Sequence, residues 1–136
     1  MAKKKILVID DSVDTRLVVS ARLMKHGYET VFAADALQAI VIARQTQPDA
    51  IILDLGLPGG NGFIVLQRLK SNTSLAGIPV IILTADECLE SELKGLEAGA
   101  AAFLHKPAQE EALIAAVESA VGDVAKSPIT EVERQR

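Results

Sequence analysis

Five residues of the sequence have the types and positions that phosphoryl-transfer chemistry requires. Each follows a short apolar segment, and they are Asp10, Asp11, Asp54, Thr84 and Lys106. Carboxylates that converge in a dry pocket repel one another unless a cation compensates them. Carboxylate oxygens bind Mg²⁺, and Lys106 offers a second positive charge. A pocket with both cations is also prepared for a phosphoryl group, whose oxygens need the same counter-charges. Asp54 occupies the central one of the three acidic positions and is the candidate nucleophile.

These residues can meet only if the segments before them form one sheet. The apolar segments occupy residues 6–9, 30–33, 50–53, 80–83 and 101–104. Short continuous apolar runs rich in valine and isoleucine predict strands buried on both faces of a parallel sheet. Segments with helical period separate the runs. The sequence therefore predicts an α/β fold, a single doubly wound (βα)5 domain with helices on both faces of the sheet. Such sheets bind ligands at the carboxyl ends of their strands.

The helical segments carry start and stop signals. The first is predicted over residues 13–26, with Ser12 as its N-cap and Gly27 at its end, and Asp35 is expected to cap the second, which Pro48 stops. Apolar residues recur at helical spacing and predict the face that each helix turns to the core. In chain order these residues are Leu17, Ala21 and Met24; Ala36, Ile40 and Ala43; Phe63, Leu66 and Leu69; Leu89, Leu93 and Leu96; and Leu113, Ala116, Val117 and Ala120.

The composition limits the kinds of protein this can be. The chain has 136 residues, which suits one domain, predicted over residues 1–122 with residues 123–136 as a C-terminal tail or linker. A formal net charge of −4 argues against direct binding of nucleic acid. Cys88 is the single cysteine, so an intrachain disulfide is excluded. Because no segment approaches the roughly 20 apolar residues that span a bilayer, we expect a cytoplasmic protein with no membrane partner.

Other designs of phosphate or metal site fit the sequence poorly. A dinucleotide or flavin site needs a loop rich in glycine or hydroxyl groups after the first strand, whereas this loop reads Asp10-Asp11-Ser12. The sequence contains neither a P-loop pattern nor a nucleophile elbow. His26 and His105 have no cysteine or histidine partner at metal-binding spacing.

The ordered set of motifs resembles the receiver domains of two-component response regulators, from about residue 4 to residue 121. The matching segments are the apolar run into Asp10-Asp11, then Asp54-Leu55-Gly56-Leu57-Pro58 with Asn61-Gly62, Leu83-Thr84-Ala85, Gly99-Ala100, and Phe103-Leu104-His105-Lys106-Pro107. Each motif is weakly specific alone, but their order and separations are highly specific. The resemblance implies a flavodoxin-like sheet with strand order 2-1-3-4-5.

The resemblance also implies roles for individual residues. Asp54 is expected to accept a phosphoryl group from a histidine kinase or a histidine phosphotransfer protein. Asp11, Asp54 and the backbone carbonyl of Gly56 are expected to bind Mg²⁺ directly, and Asp10 largely through water. Lys106 is expected to pair with Asp54 or with the phosphoryl oxygens.

Further positions are expected to transmit the signal. Thr84 would move toward the phosphoryl group while Phe103 turns inward, which alters the surface of the fourth helix, fifth strand and fifth helix. The bond between Lys106 and Pro107 is expected to be cis. The altered surface would regulate an output protein or domain that the sequence does not identify, and a homodimer through that surface is also compatible with the family.

Four positions depart from the family pattern or vary within it. Phe103 replaces a tyrosine that many relatives carry, so its hydroxyl is missing. Gly56 leaves room for an attacking water, whereas Asp86 adds a negative charge near the path of that water. Ala108 stands where a phenylalanine is frequent. Gly56 and Asp86 therefore have opposite expected effects on the lifetime of the phosphoryl group.

Three hypotheses of different classes remain. The first is an active phosphoacceptor switch, which phosphorylates and dephosphorylates itself slowly and is not an enzyme in the usual sense. The second is a degenerate receiver that binds proteins independently of phosphorylation. The third is an α/β hydrolase or phosphatase that uses the same aspartates with steady turnover.

Overall fold

The fold alternates five strands with five helices. The computed structural model describes residues 3–57 and 62–122; the predicted motif positions Pro58 and Asn61 and the predicted tail lie outside these ranges. The strands are β1 (Lys5–Ile9), β2 (Glu29–Ala33), β3 (Ala50–Leu53), β4 (Val80–Thr84) and β5 (Ala102–His105). The helices are α1 (Val13–Lys25), α2 (Ala36–Thr46), α3 (Gly62–Ser71), α4 (Leu89–Glu97) and α5 (Glu110–Val121).

All five strands are parallel, and their order is β2-β1-β3-β4-β5. This confirms the predicted doubly wound, flavodoxin-like architecture. Ile9 pairs with Leu53, Leu53 pairs with Ile82, and Thr84 pairs with His105. The register therefore brings the carboxyl ends of β1, β3, β4 and β5 to one edge of the sheet, which is where the candidate residues follow their strands.

Two apolar layers cover the sheet. One joins the sheet to α2 and α3 and contains Leu66 and Leu69, and the other joins it to α1 and α5 and contains Leu23 and Leu113. The strands β3 and β4 are buried along their whole length, and β1 is buried after its first residue. The prediction of burial on both faces is wrong for β2 and β5, which lie at the two edges of the sheet and are partly exposed.

The predicted core faces are confirmed for α2, α3 and α5 and wrong for the other two helices. Leu17 and Met24 of α1 are 62% and 60% exposed, because α1 buries Val19, Ser20 and Leu23 instead. The α4 leucines are exposed as well. Apolar residues occur on two sides of α1, and periodicity alone does not select between the sides.

The predicted helix caps are confirmed. The Ser12 hydroxyl accepts a hydrogen bond from the Thr15 N–H, and the Asp35 carboxylate accepts one from the Gln38 N–H. The helix α1 ends one residue before the predicted end, with His26 as its C-cap. Within residues 3–57 and 62–122, no helix is long and apolar enough to cross a membrane. The cytoplasmic location and the domain boundary at residue 122 stay predictions.

The start of α3 depends on a glycine. The Gly62 N–H donates to the Leu55 carbonyl at 2.8 Å. A Cβ atom at Gly62 would lie 2.5 Å from the Leu55 Cα and 2.6 Å from the Asp54 carbonyl oxygen. These are backbone atoms, so a side chain here would push α3 away from the segment that holds Asp54.

We expect Gly62→Ala to lower the free energy of unfolding by about 1–3 kcal/mol, as overpacking does in a tight site. Urea denaturation checks this. The matched control is Gly77→Ala, because no heavy atom lies within 4 Å of a Cβ at Gly77; it should change stability by less than about 0.5 kcal/mol. Equal effects of the two substitutions would refute the role of close approach at Gly62.

Candidate functional site

Three aspartates meet at the carboxyl edge of the sheet. Asp10 follows β1 and Asp54 follows β3, and the pairing of these strands makes the two residues neighbours. One carboxylate oxygen from each of Asp10, Asp11 and Asp54 lies within 4.8 Å of the others. Asp10 and Asp54 are buried, whereas Asp11 is exposed. The acidic cluster thus has two members inside the fold and one at the solvent boundary.

Lys106 supplies the positive charge that two of these carboxylates need. Its Nζ lies 2.8 Å from an Asp10 oxygen and 3.2 Å from an Asp54 oxygen. Burial opposes the charge of this ammonium, but the hydrogen bonds and charges of Asp10 and Asp54 outweigh that effect and raise the pKa of Lys106. The lysine is therefore a fixed cation of the site at neutral pH.

Backbone N–H groups hold the same two carboxylates from the other side. The Ser12 N–H donates to Asp10 at 2.9 Å, and the Gly56 N–H donates to Asp54 at 3.1 Å. In each case the acceptor is the oxygen that does not contact Lys106. These contacts orient both carboxylates before any ligand binds.

A pocket of about 340 Å³ opens beside Asp54, and Gly56, Phe63, Thr84 and Asp86 contribute to its walls. Thr84 is buried at the end of β4, and its hydroxyl accepts a hydrogen bond from the Asp86 N–H at 3.3 Å. The hydrogen bond that the Asp86 carboxylate accepts from the Cys88 N–H lowers the pKa of Asp86, and Ser91 and His105 add to the effect. The pocket mouth therefore carries a negative charge.

The other predicted site residues are Phe103, which lies in β5, and Pro107, which directly follows Lys106. Phe103 is half-buried in β5, its ring centroid lies 5.4 Å from that of His105, and it packs against the apolar layer on the α2–α3 side. The Lys106–Pro107 peptide bond is cis. The structure shows the Gly56 N–H donating to Asp54. Binding of Mg²⁺ by the Gly56 carbonyl stays a prediction.

Two contacts near the site were not predicted from the sequence. Phe63 packs against the core as predicted, and its ring also lines the pocket and lies 4.5 Å from the Lys94 Nζ of α4. The Arg22 guanidinium donates to the Ala108 carbonyl at 2.7 Å, which ties α1 to the segment after Lys106. These contacts join distant parts of the chain, and no local pattern signals them.

The donor set of the acidic cluster fits a hard divalent cation. Its side-chain ligands are all oxygens, and the exposed position of Asp11 leaves a route from solvent. Mg²⁺ prefers few carboxylates and retains several waters. Asp10, Asp11 and Asp54 are the side chains that would hold the ion.

We expect Lys106→Met to raise the affinity for Mg²⁺, because the ammonium contacts two carboxylates of the cluster and opposes a second cation there. One unit charge a few ångströms away, partly screened, corresponds to roughly fivefold in affinity. Isothermal titration calorimetry measures this. The control is Lys25→Met, which removes an exposed ammonium that pairs with Glu110 on α5 and should leave the affinity unchanged. A weaker affinity for the Lys106 variant would contradict the prediction.

Comparison with known proteins places the similarity of the chain in one family. The model of the response regulator receiver domain family matches residues 6–118. PilH of Pseudomonas aeruginosa is 34% identical over 110 residues, which cover 81% of this chain and 91% of PilH. The DNA-binding dual master transcriptional regulator RpaA of Synechocystis is 40% identical over 113 residues, which cover 83% of this chain. The matched residues make up 47% of RpaA, so the chain spans about half the length of that protein.

Solved structures show the same fold. The chemotaxis response regulator CheY4 of Vibrio cholerae superposes with a TM-score of 0.81 at 30% identity, covering 88% of this chain and 99% of that one. The receiver domain of the Francisella response regulator 1452 has a TM-score of 0.82 at 27% identity, covering 89% of this chain and 98% of that one.

Proposed function

This chain belongs to the response regulator receiver domain family, and on that premise we propose that it is a phosphorylation switch whose phosphoacceptor is Asp54. Receiver domains are signalling switches and not conventional enzymes. The observation that carries the proposal is the position of the Asp54 carboxylate. It is buried, its oxygens are held by the Gly56 N–H and the Lys106 ammonium, and it lines an open pocket.

The chemistry is a transfer from nitrogen to oxygen. An Asp54 carboxylate oxygen attacks the phosphorus of a phosphohistidine, a new P–O bond forms, and the P–N bond breaks with its electron pair leaving on the imidazole. Lys106 lies within hydrogen-bond reach of the same carboxylate, where it would pair with an oxygen of the incoming phosphoryl group. A bound Mg²⁺ would neutralise the remaining charge on those oxygens.

Transmission of the signal would begin at Thr84. Its hydroxyl lies at the pocket wall and is bonded only weakly, at 3.3 Å, to the Asp86 N–H. A phosphoryl oxygen is a stronger acceptor than water and would attract the hydroxyl proton. Movement of Thr84 would displace the segment before α4 and open space into which the Phe103 ring could turn. Because Phe103 has no hydroxyl, this turn would depend on the available space and not on a hydrogen bond.

A histidine kinase or a histidine phosphotransfer protein is the proposed phosphodonor. The exposed side of α1 supports a protein as the phosphodonor, and not only a small phosphorylated molecule. Val13, Leu17 and Val18 are about half exposed. A groove of about 220 Å³ between α1 and the start of α5 reaches from Val18 to Lys106 itself. A helix that lies on α1 would thus deliver its phosphohistidine next to Asp54.

We expect one phosphoryl group per chain when the protein is incubated with a small acyl phosphate and Mg²⁺, detected as a mass increase in intact-protein mass spectrometry. Asp54→Ala should abolish the increase. Asp35→Ala, which removes a partly exposed helix-capping carboxylate, is the matched control and should retain it. Absence of modification in the native chain would favour the phosphorylation-independent binding module, whereas steady release of phosphate over many equivalents would favour the hydrolase.

We expect Thr84→Val to separate acceptance from transmission. Valine has nearly the shape of threonine but no hydroxyl, so Asp54 should still be phosphorylated while the amide NMR signals of α4 should no longer shift on phosphorylation. Thr84→Ser restores the hydroxyl and should restore most of the shift. An unchanged response of α4 in Thr84→Val would mean that another residue transmits the signal.

A further inference from the structure

The outward side of α4 is an apolar stripe that none of the described residues covers. Its leucines are spaced four and three residues apart, so they share one side of the helix; they are Leu89, Leu93 and Leu96, which are 66%, 54% and 42% exposed. The inward side is formed at Gly95, which is buried, and a Cβ there would lie 2.8 Å from the Ile82 Cδ1. Close packing through a glycine directs the large side chains away from the sheet.

Carboxylates border this stripe on both sides. At 100° per residue, Glu90 and Glu97 lie along one side of the leucines and Glu92 lies along the other. Lys94 is the single cation of α4, and it points away from the stripe, with its Nζ over the Phe63 ring. The stripe therefore has an acidic rim, and the helix offers no positive charge beside it.

The charge of the chain is concentrated at this helix and the three residues before it. Residues 86–97 contain five carboxylates and one ammonium, a formal charge of −4. This equals the formal charge of the whole chain, so all other residues together are neutral. A patch of one sign attracts partners of the opposite sign and repels those of the same sign.

We propose that the α4 surface, made of this leucine stripe and its glutamate rim, binds a basic amphipathic helix of an output partner. The apolar face of such a helix would cover the leucines, and its lysines or arginines would pair with the glutamates. Binding at this surface does not depend on the proposed function; only the regulation of that binding by phosphorylation rests on it. The Cys88 N–H donates to Asp86, and the Asp86 N–H donates to Thr84. Two hydrogen bonds thus connect the start of α4 to the pocket.

Charge selects this occupant over others. In a two-fold homodimer each surface meets its own copy, so glutamate rims would face glutamate rims. Anionic lipids and nucleic acids carry the same sign as the rim and would be repelled. A cationic helix is the partner that satisfies both the apolar stripe and its border.

The test uses two synthetic amphipathic helical peptides of the same length and leucine pattern. One has lysine and arginine beside its leucines, and the other has glutamate. Fluorescence anisotropy with the full, unphosphorylated chain should show binding of the cationic peptide, with an affinity that falls as salt rises, and no binding of the anionic peptide. Equal binding of both peptides, or binding of neither, would overturn the proposal.

Variants locate the binding surface. Glu90→Gln with Glu97→Gln should weaken binding of the cationic peptide about fivefold, and Leu93→Ser should weaken it about tenfold or more. The matched controls are Glu29→Gln with Glu111→Gln, which remove two exposed carboxylates elsewhere, and Leu37→Ser, at a leucine of α2 that is 75% exposed. The controls should bind as the native chain does. Equal losses in variants and controls would place the site elsewhere.

Two further measurements separate this proposal from the phosphorylation switch. Sedimentation that shows a dimer abolished by Leu93→Ser would identify a second copy as the occupant and overturn the proposal. In the absence of the acyl phosphate the native chain should bind the cationic peptide equally well with and without Mg²⁺, and any change that the acyl phosphate causes should require Mg²⁺. If phosphorylation itself fails while the peptide still binds through α4, the proposed function is wrong and the docking surface stands.

Discussion

The structure depends on the pairing of one ammonium with two buried carboxylates. Lys106 lies 2.8 Å from Asp10 and 3.2 Å from Asp54, and a carboxylate pair in a buried site is costly without such a partner. In the proposed function this pairing would also prepare the site for a phosphoryl group, because the groups that satisfy the resting carboxylates are those that a phosphoryl group requires. The Gly56 and Ser12 N–H groups complete this arrangement. No buried side-chain nitrogen or oxygen within residues 3–57 and 62–122 lacks a hydrogen-bond partner.

The parallel sheet positions these groups from distant parts of the chain. The register of β1 with β3 sets the distance between Asp10 and Asp54, and the position of β4 next to β3 brings Thr84 to the same edge. Lys106 arrives from the edge strand β5, and the Arg22 bond to the Ala108 carbonyl fixes the segment that follows. The central strands are fully buried, whereas β5 is partly exposed and α4 buries only Gly95. This distribution suits a switch, since the site can remain organised while the surface beside it changes.

The sequence predicted the sheet and the chemistry more reliably than the surface. The residues of β3 were predicted with correct bounds because a fully buried parallel strand is continuously apolar, while the edge strands β2 and β5 were expected to be buried and are not. Asp10, Asp54 and Lys106 could be assigned because each follows a strand whose direction is dictated by the alternation of elements. The outward leucines of α4 were mistaken for a core face, since periodicity shows that residues share a side but not which neighbour lies there. Contacts such as Lys94 with Phe63 depend on how α3 and α4 pack together, and local sequence carries no signal for that.

Chemical localisation of the phosphoryl group tests the central claim most directly. Borohydride reduces an acyl phosphate to an alcohol and thereby marks the carboxylate that carried it. After treatment with an acyl phosphate and Mg²⁺, reduction and peptide sequencing by mass spectrometry should find one modified residue, Asp54. Reduction at Asp10 or Asp11 instead, or a label spread over exposed carboxylates, would contradict the account, because Asp54 would then not be the group that the Lys106 pairing and the pocket prepare for transfer.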